Sequence, residues 1–345
     1  MKNPNFYYLK NLDIIENDLF EVNNAFDIYS LQKNKNKIFL CGSHEHKRNI
    51  LTIFEFEKDN FKKKLSLKNH KEFIVGCKYF LDKKSGKEYL ASTDNGKTTS
   101  ISLIWIILDE NTYQNIFSIN SVDRIRFPFS LIFNYNEEKE DFFFIHPSSD
   151  ADSVVITKEK KIYKTINFTT GKIYYYIIWE NHRNSKNFVI QCNEDYVYIY
   201  YIFDKKLDFI KLEYTEITGN NYSACILYNR KQCDYLCIVN ENMNIVFYDL
   251  LNNNLSSVVK INDNALINIC EYNEEYLIVL SKNGHFMVLD YYNKKIISKI
   301  NINANNKIKT LKLINHKEYG QYLIIGGFMT GLIMYKNKPS FFLKE

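Results

Sequence analysis

The sequence predicts an all-β protein built from seven copies of a four-stranded antiparallel unit. Two observations carry that expectation. Aromatic residues make up 16% of the 345 residues, with 27 Tyr and 25 Phe, and such side chains suit the pleated, half-buried surface of a sheet. A short marker, polar then aromatic then aliphatic, also recurs along the chain. It reads Glu88-Tyr89-Leu90, Asp234-Tyr235-Leu236, Glu275-Tyr276-Leu277 and Gln321-Tyr322-Leu323, with looser forms at Lys37-Ile38-Phe39, Asp141-Phe142-Phe143 and Asn187-Phe188-Val189. Its third residue falls at 39, 90, 143, 189, 236, 277 and 323, at intervals of 51, 53, 46, 47, 41 and 46 residues. A period in that range is the signature of a repeat architecture.

Each marker opens the second strand of a unit. Before it lies an apolar run, at 25–29, 74–80, 130–135, 173–179, 223–228, 266–272 and 308–314. After it, past a polar turn, lies another, at 50–56, 101–108, 153–157, 196–203, 245–250, 286–291 and 332–335. A weaker fourth run follows in most units, as at 116–119, 209–214, 257–261 and 296–300. Short runs separated by tight polar turns read as antiparallel strands, and no segment shows a helical stripe a dozen residues long. The units span about 13–69, 70–120, 121–166, 167–215, 216–261, 262–302 and 303–345, as one domain without a Pro/Gly/Ser-rich linker. Gly (11) and Pro (4) are scarce, so Asn-rich turns such as Asn252-Asn253-Asn254 are expected to supply left-handed positions.

Composition narrows the function classes. A net charge of +5 is mild, and the basic clusters Lys33 to Lys37, Lys62 to Lys64 and Lys158 to Lys161 are short enough to be solvated loops. Nucleic acid is therefore disfavoured as a partner. The first residues lack the apolar core of a signal peptide, and no run approaches the ~20 apolar residues of a membrane-spanning helix. Seven scattered cysteines read as reduced, largely buried thiols. A soluble, cytoplasmic protein is the expectation.

The stretch from His70 to Trp105 carries the most specific pattern. A His precedes the first strand, Ser92 ends the second, a polar turn Thr93-Asp94-Asn95-Gly96 follows, and Trp105 closes the third. It resembles a WD-repeat blade. The resemblance covers nearly the whole chain, complete in this unit and eroded elsewhere: Tyr248-Asp249, Leu289-Asp290, Phe54-Glu55 and Tyr335-Lys336 stand at the closing position in other units. Asp195, Asn242 and Asn283 sit six residues before the closing residue, whereas Asp94 sits 11 before Trp105. The resemblance implies a seven-bladed β-propeller. In it His70, Ser92 (or Thr93), Asp94 and Trp105 form a hydrogen-bonded structural tetrad rather than a catalytic site. It also implies that residues 6–12, a strand without a unit, close the ring by pairing with Leu332–Tyr335, Ser340–Leu343 being the other candidate.

Other constellations are weaker. His44-Glu45-His46 places two imidazoles two apart, but no third ligand completes a metal set. Cys233 and Cys237 lack a second pair for zinc. Asp150-Ala151-Asp152 lacks the Gly and distal Glu of a calcium loop. Asn167-Phe168-Thr169 and Asn221-Tyr222-Ser223 match glycosylation acceptors and read as turns. Lys97, Arg124 and Arg126 read as solvated loop charge. No phosphate loop, metalloprotease helix or nucleophile elbow occurs. No catalytic residue, metal or cofactor is assigned, and no small-molecule substrate is expected. By resemblance, the expected function is a non-catalytic scaffold or adaptor docking other proteins in a larger assembly. The alternatives are a propeller hydrolase, which needs acidic residues recurring on the first strands, and an RNA- or phosphoinositide-binding propeller, which the absence of any Arg-Arg pair disfavours.

Overall fold

Apolar runs such as VYIY at 197–200 and YLIVLS at 276–281 become middle strands of sheets, and runs interrupted by Lys, Asn and Ser, such as 254–260 and 295–301, become outer ones. The computed structural model describes residues 6–12, 26–43, 49–57, 60–72, 74–82, 85–94, 100–121, 131–136, 141–147, 153–158, 161–167, 173–184, 186–201, 209–230, 232–302, 308–318, 320–327 and 331–337. These form strands, with one 3-10 turn at Thr215–Ile217 and no α-helix among the described residues.

Strand β1 (Phe6–Leu12) precedes the first sheet, which contains β2 (Phe26–Leu31), β3 (Asn34–Ser43), β4 (Leu51–Glu57) and β5 (Asn60–Leu67). The next contains β6 (Ile74–Leu81), β7 (Glu88–Asp94), β8 (Ser100–Asp109) and β9 (Thr112–Ser121). The third contains β10 (Leu131–Asn136), β11 (Asp141–Pro147), β12 (Ser153–Lys158) and β13 (Lys161–Asn167). The fourth contains β14 (Ile173–Asn181), β15 (Lys186–Asn193), β16 (Val197–Tyr200) and β17 (Phe209–Leu212). The fifth contains β18 (Asn221–Arg230), β19 (Cys233–Asn240), β20 (Asn244–Asp249) and β21 (Asn254–Lys260). The sixth contains β22 (Leu266–Glu271), β23 (Tyr276–Ser281), β24 (His285–Asp290) and β25 (Lys295–Asn301). Three further strands follow: β26 (Ile308–His316), β27 (Gly320–Gly327) and β28 (Gly331–Asn337).

The first six sheets are antiparallel meanders of four consecutive strands, each in sequence order. The remaining four-stranded sheet is composite, ordered β1-β28-β27-β26. Phe6 lies opposite Asn337, Tyr8 opposite Tyr335 and Leu12 opposite Leu332. The strand without a unit therefore pairs with the one holding Leu332–Tyr335, and an edge that would otherwise be open is covered.

The chain divides into two compact units. One comprises Met1–Ser149, Val154–Ile166 and Lys307–Glu345; the other comprises Asp150–Ser153 and Asn167–Asn306. Within each, sheets stack face to face as propeller blades do. In the first unit β2 runs beside both β6 and β26, and in the second β18 runs beside both β14 and β22. First strands are thus neighbours, and the sheets fan outward from them.

Burial explains the sequence pattern. Every residue of β7, β16 and β23 is buried, because a middle strand packs on both faces and loses the polar alternation of a half-exposed strand. Outer strands β21 and β25 keep it. The cores lie between sheets. Tyr29, Phe39, Cys41 and Ile53 meet Leu90, Leu103 and Trp105 in the first unit, and Val239 and Phe247 meet Leu277 and Met287 in the second.

Strand-closing aspartates have a local task. Asp249 Oδ1 accepts the backbone N–H groups of Leu251 and Asn252, each at 3.0 Å, and Asp249 Oδ2 accepts the Asn252 amide at 2.7 Å. Asp290 repeats this with Asn293 at 2.9 and 2.8 Å, and Asp109 accepts from Asn111 N–H at 2.7 Å. Each carboxylate shapes the hairpin to the fourth strand, an Asx-turn. In these two longer hairpins Asn253 (φ 56°) and Lys294 (φ 55°) take the left-handed position. Asn does so as the composition suggests, and Lys takes the same position in the other hairpin. One further correction concerns Trp105, which lies within β8 rather than at its end, four residues before the closing Asp109.

Candidate functional site

The sheet β6–β9 holds a connected, buried polar cluster. His70, in the segment entering β6, lies with Nε2 2.7 Å from Ser92 Oγ and Nδ1 3.2 Å from Asp94 Oδ2. Trp105 Nε1 donates to Ser92 Oγ at 3.1 Å. A carboxylate only accepts, so Nδ1 carries the proton. Nε2 then accepts the Ser92 hydroxyl hydrogen, while the hydroxyl oxygen accepts from the indole. The chain runs from Trp105 through Ser92 and His70 to Asp94, and every donor meets an acceptor. The His70 and Asp94 side chains are fully buried, and Ser92 is 1% exposed. Asp94 also accepts from the backbone N–H of Ile101 at 2.6 Å and of Glu72 at 3.4 Å. Thr93, the other hydroxyl considered, points to the opposite face and bonds Ser102 at 3.1 Å. The four predicted residues come together, and their polar atoms are taken up by one another and, for Asp94, by two backbone N–H groups as well.

Other sheets reach the same end with different residues. In the sixth, the loop before the first strand supplies the acid and the third strand supplies the imidazole. His285 Nδ1 lies 2.9 Å from Asp263 Oδ2, which Lys299 also meets at 2.9 Å. Burial alone would raise the Asp263 carboxyl, but Lys299, the Asn264 N–H and His285 hold it below the ordinary value. In the fifth sheet, asparagine amides grip the entering segment. Asn240 and Asn244 donate to the Glu216 carbonyl at 2.6 and 3.0 Å, and Asn242 donates to the Thr218 carbonyl at 2.8 Å. Gly219 in that segment has φ +82°, and a Cβ there would meet the Asn242 amide at 3.3 Å.

The acidic residue that opens the marker has a task that sequence reasoning missed. Glu88 Oε1, at the start of β7, accepts from Gln32 N–H at 2.8 Å and from the Tyr79 hydroxyl at 2.7 Å. Gln32 lies in the hairpin between the first two strands of the preceding sheet. Asp234, at the start of β19, does the equivalent in the second unit. Its Oδ2 accepts from Trp179 Nε1 at 2.9 Å and lies 3.2 Å from His182 Nδ1. Trp179 is in β14, and His182 is in the hairpin that follows it. Both carboxylates tie a second strand to the first hairpin of the sheet before it. Asp234 is wholly buried, whereas His182 is 48% exposed. The exposed imidazole on a buried carboxylate resembles a catalytic dyad, yet it occupies the joint that Gln32 and Glu88 occupy in the first unit.

A third cluster lies on the first strands. Asp27 on β2 meets Lys312 of β26 at 2.7 Å, Lys78 of β6 at 3.8 Å and Tyr79 N–H at 2.9 Å. Burial pushes its carboxyl up, but the two lysines and the N–H outweigh this and hold it below the ordinary value. Asp27 thus sits as a carboxylate between two lysines contributed by the first strands of the two flanking sheets.

The remaining candidates fare differently. His44-Glu45-His46, Lys97, Arg124, Arg126, Asp150-Ala151-Asp152, Phe168-Thr169 and Ser340–Leu343 lie outside the described residues. Asn221 is wholly buried at the start of β18 rather than in a turn, and its amide donates to the Asn193 and Ile217 carbonyls at 2.8 and 2.9 Å. It is therefore closed to a glycan. None of the seven cysteines is in a disulfide; Cys41, Cys192 and Cys237 are buried, and the other four are half-buried. Among the described residues no group of three His, Cys, Asp or Glu is placed to hold a metal ion, and no helix is long and apolar enough to cross a membrane. Large apolar side chains open to solvent include Leu108, Ile116, Phe209, Ile210, Tyr228 and Tyr292. No protein-family model matches the chain, and no curated protein matches it.

Proposed function

We propose that the seven sheets close into one seven-bladed ring of WD-repeat type, a single domain in which residues 6–12 complete the last blade, and that the protein is a non-catalytic scaffold. It would dock other proteins of a multiprotein assembly on its loops, in the cytoplasm. One observation carries this reading: the residues that look most like chemistry are consumed in joints. His70, Ser92 and Asp94 satisfy one another inside a sheet, and His182 and Asp234 sit at an intersheet tie that recurs as Gln32 and Glu88. Buried polar groups bound in this way specify a rigid fold rather than turn over a substrate. Propeller folds commonly serve as interaction platforms, with function in loops carried on a rigid frame.

The test is affinity capture of the full chain from its native cells, followed by identification of the proteins retained at stoichiometric levels. A reproducible set of partners is expected. Recovery of the chain alone, with turnover of a small substrate, would overturn the proposal in favour of the hydrolase.

A further inference from the structure

We infer that Cys41 and Cys77 form a modification site, at which a hydroperoxide closes a disulfide between two neighbouring sheets of the first unit. Cys41 lies on β3 and is buried; Cys77 lies on β6 and is half-buried. Their sulfurs are 3.3 Å apart. The Cys77 thiol also points at the Cys41 carbonyl at 3.3 Å, and the Cys41 thiol at the Asp27 carbonyl at 3.6 Å. The two strands belong to different sheets with no ladder between them, so contacts made through side chains, rather than backbone pairing, hold this joint. A disulfide is about 2.05 Å long, and the sulfurs need to approach by only about 1.2 Å, within reach of small χ1 adjustments.

Cys77, the more exposed thiol, meets the oxidant first. Its thiolate attacks one peroxide oxygen, the O–O bond breaks, and a sulfenic acid and hydroxide result. The Cys41 sulfur then attacks the Cys77 sulfur. The S–S bond forms, hydroxide leaves, and it takes up the Cys41 proton as water. Two thiols are oxidised and one hydrogen peroxide is reduced to two waters. Burial, the Cys41 thiol and the Asp27 carboxylate push the Cys77 thiol well up, with Lys312 opposing. Little thiolate is present at neutral pH, so the site reacts slowly compared with an activated cysteine. It closes under sustained oxidation rather than in response to a brief pulse.

Cys225 and Cys237 are the competing pair, directly opposite each other across β18 and β19. That bond would staple two strands already joined by a ladder, whereas the Cys41–Cys77 bond would cross a joint that has none.

The experiment treats the folded full-length protein with hydrogen peroxide, alkylates residual thiols, and maps the digest by mass spectrometry. The expected product is about 2 Da lighter before alkylation, contains a Cys41–Cys77 linked peptide, and unfolds at a temperature several degrees higher, reversed by dithiothreitol. Three outcomes overturn the inference: a disulfide mapped elsewhere, Cys77 carried to sulfinic acid without a linked peptide, or both thiols still alkylated after prolonged exposure. The reading is made on the unsubstituted protein and does not depend on a variant folding. As a control, Cys77→Ser is expected to abolish both the linked peptide and the thermal shift.

Discussion

Removing the Ser92 hydroxyl tests the buried chain at its centre. Ser92 is bonded to two other members, accepting from Trp105 Nε1 and donating to His70 Nε2. Ser92→Ala deletes both bonds and strands an indole N–H and an imidazole nitrogen in a site closed to water. Leaving a buried polar group unsatisfied costs about 1–3 kcal/mol, so two such groups cost roughly 2–5 kcal/mol once partial relaxation is allowed. That is a large share of the ~5–15 kcal/mol that holds a typical domain. Equilibrium urea denaturation, followed by tryptophan fluorescence and by circular dichroism, measures the loss. A double-mutant cycle with His70→Ala sharpens it. Because His70 and Ser92 share a bond, the double variant is expected to cost at least about 1 kcal/mol less than the two single losses combined. A loss below about 0.5 kcal/mol for Ser92→Ala, or strict additivity with His70→Ala, would refute the chain as described.

Three further outcomes follow from the other clusters. Trp179→Phe keeps an aromatic ring, though a smaller one, and withdraws the N–H from the buried Asp234 carboxylate; a destabilisation of at least about 1–3 kcal/mol is expected by chemical denaturation, and an unchanged midpoint would show that the intersheet tie contributes nothing. Asp27 has a folded pKa below its ordinary 3.8, so its stabilisation is complete above that value and disappears as pH falls below it. Lys312→Met removes the cation at 2.7 Å, raises the folded value, and should move acid unfolding, followed by circular dichroism, to higher pH; an unmoved transition contradicts the assignment. Deleting residues 1–12 bares the edge of β28, and sedimentation should reveal self-association through that edge; unchanged size and stability would mean that the β1 pairing is dispensable.

What was legible in the sequence follows from how far apart cooperating residues lie. Middle strands such as Val197–Tyr200 and Tyr276–Ser281 were legible because burial on both faces leaves a nearly unbroken apolar run. The β1 partner was legible because Phe6–Leu12 had strand character but no unit of its own. The His70 clamp was legible because all four residues fall in one repeat. The intersheet ties were not. Trp179 and Asp234 are 55 residues apart and belong to neighbouring repeats, so each reads alone as an apolar or a marker position. The sixth sheet exchanged its letters, acid for imidazole, and the fifth replaced both with asparagine amides aimed at main-chain carbonyls. Carbonyls are the same at every residue, so nothing in a sequence marks the ones that will be gripped. Cys41 and Cys77 likewise meet only because successive sheets stack.

The pairing of β1 with β28 has a consequence for biosynthesis. Leu12 and its partner Leu332 are separated by 320 positions. At roughly 5–20 residues per second of translation, β1 waits about 15 s to a minute for the strand it joins. Each meander can form as soon as its own four strands are made, but the composite sheet is the last to form whatever its intrinsic stability. The nascent protein therefore carries an unpaired, aromatic-rich segment throughout its synthesis. That interval is when it is most exposed to capture by a chaperone or by another copy of itself.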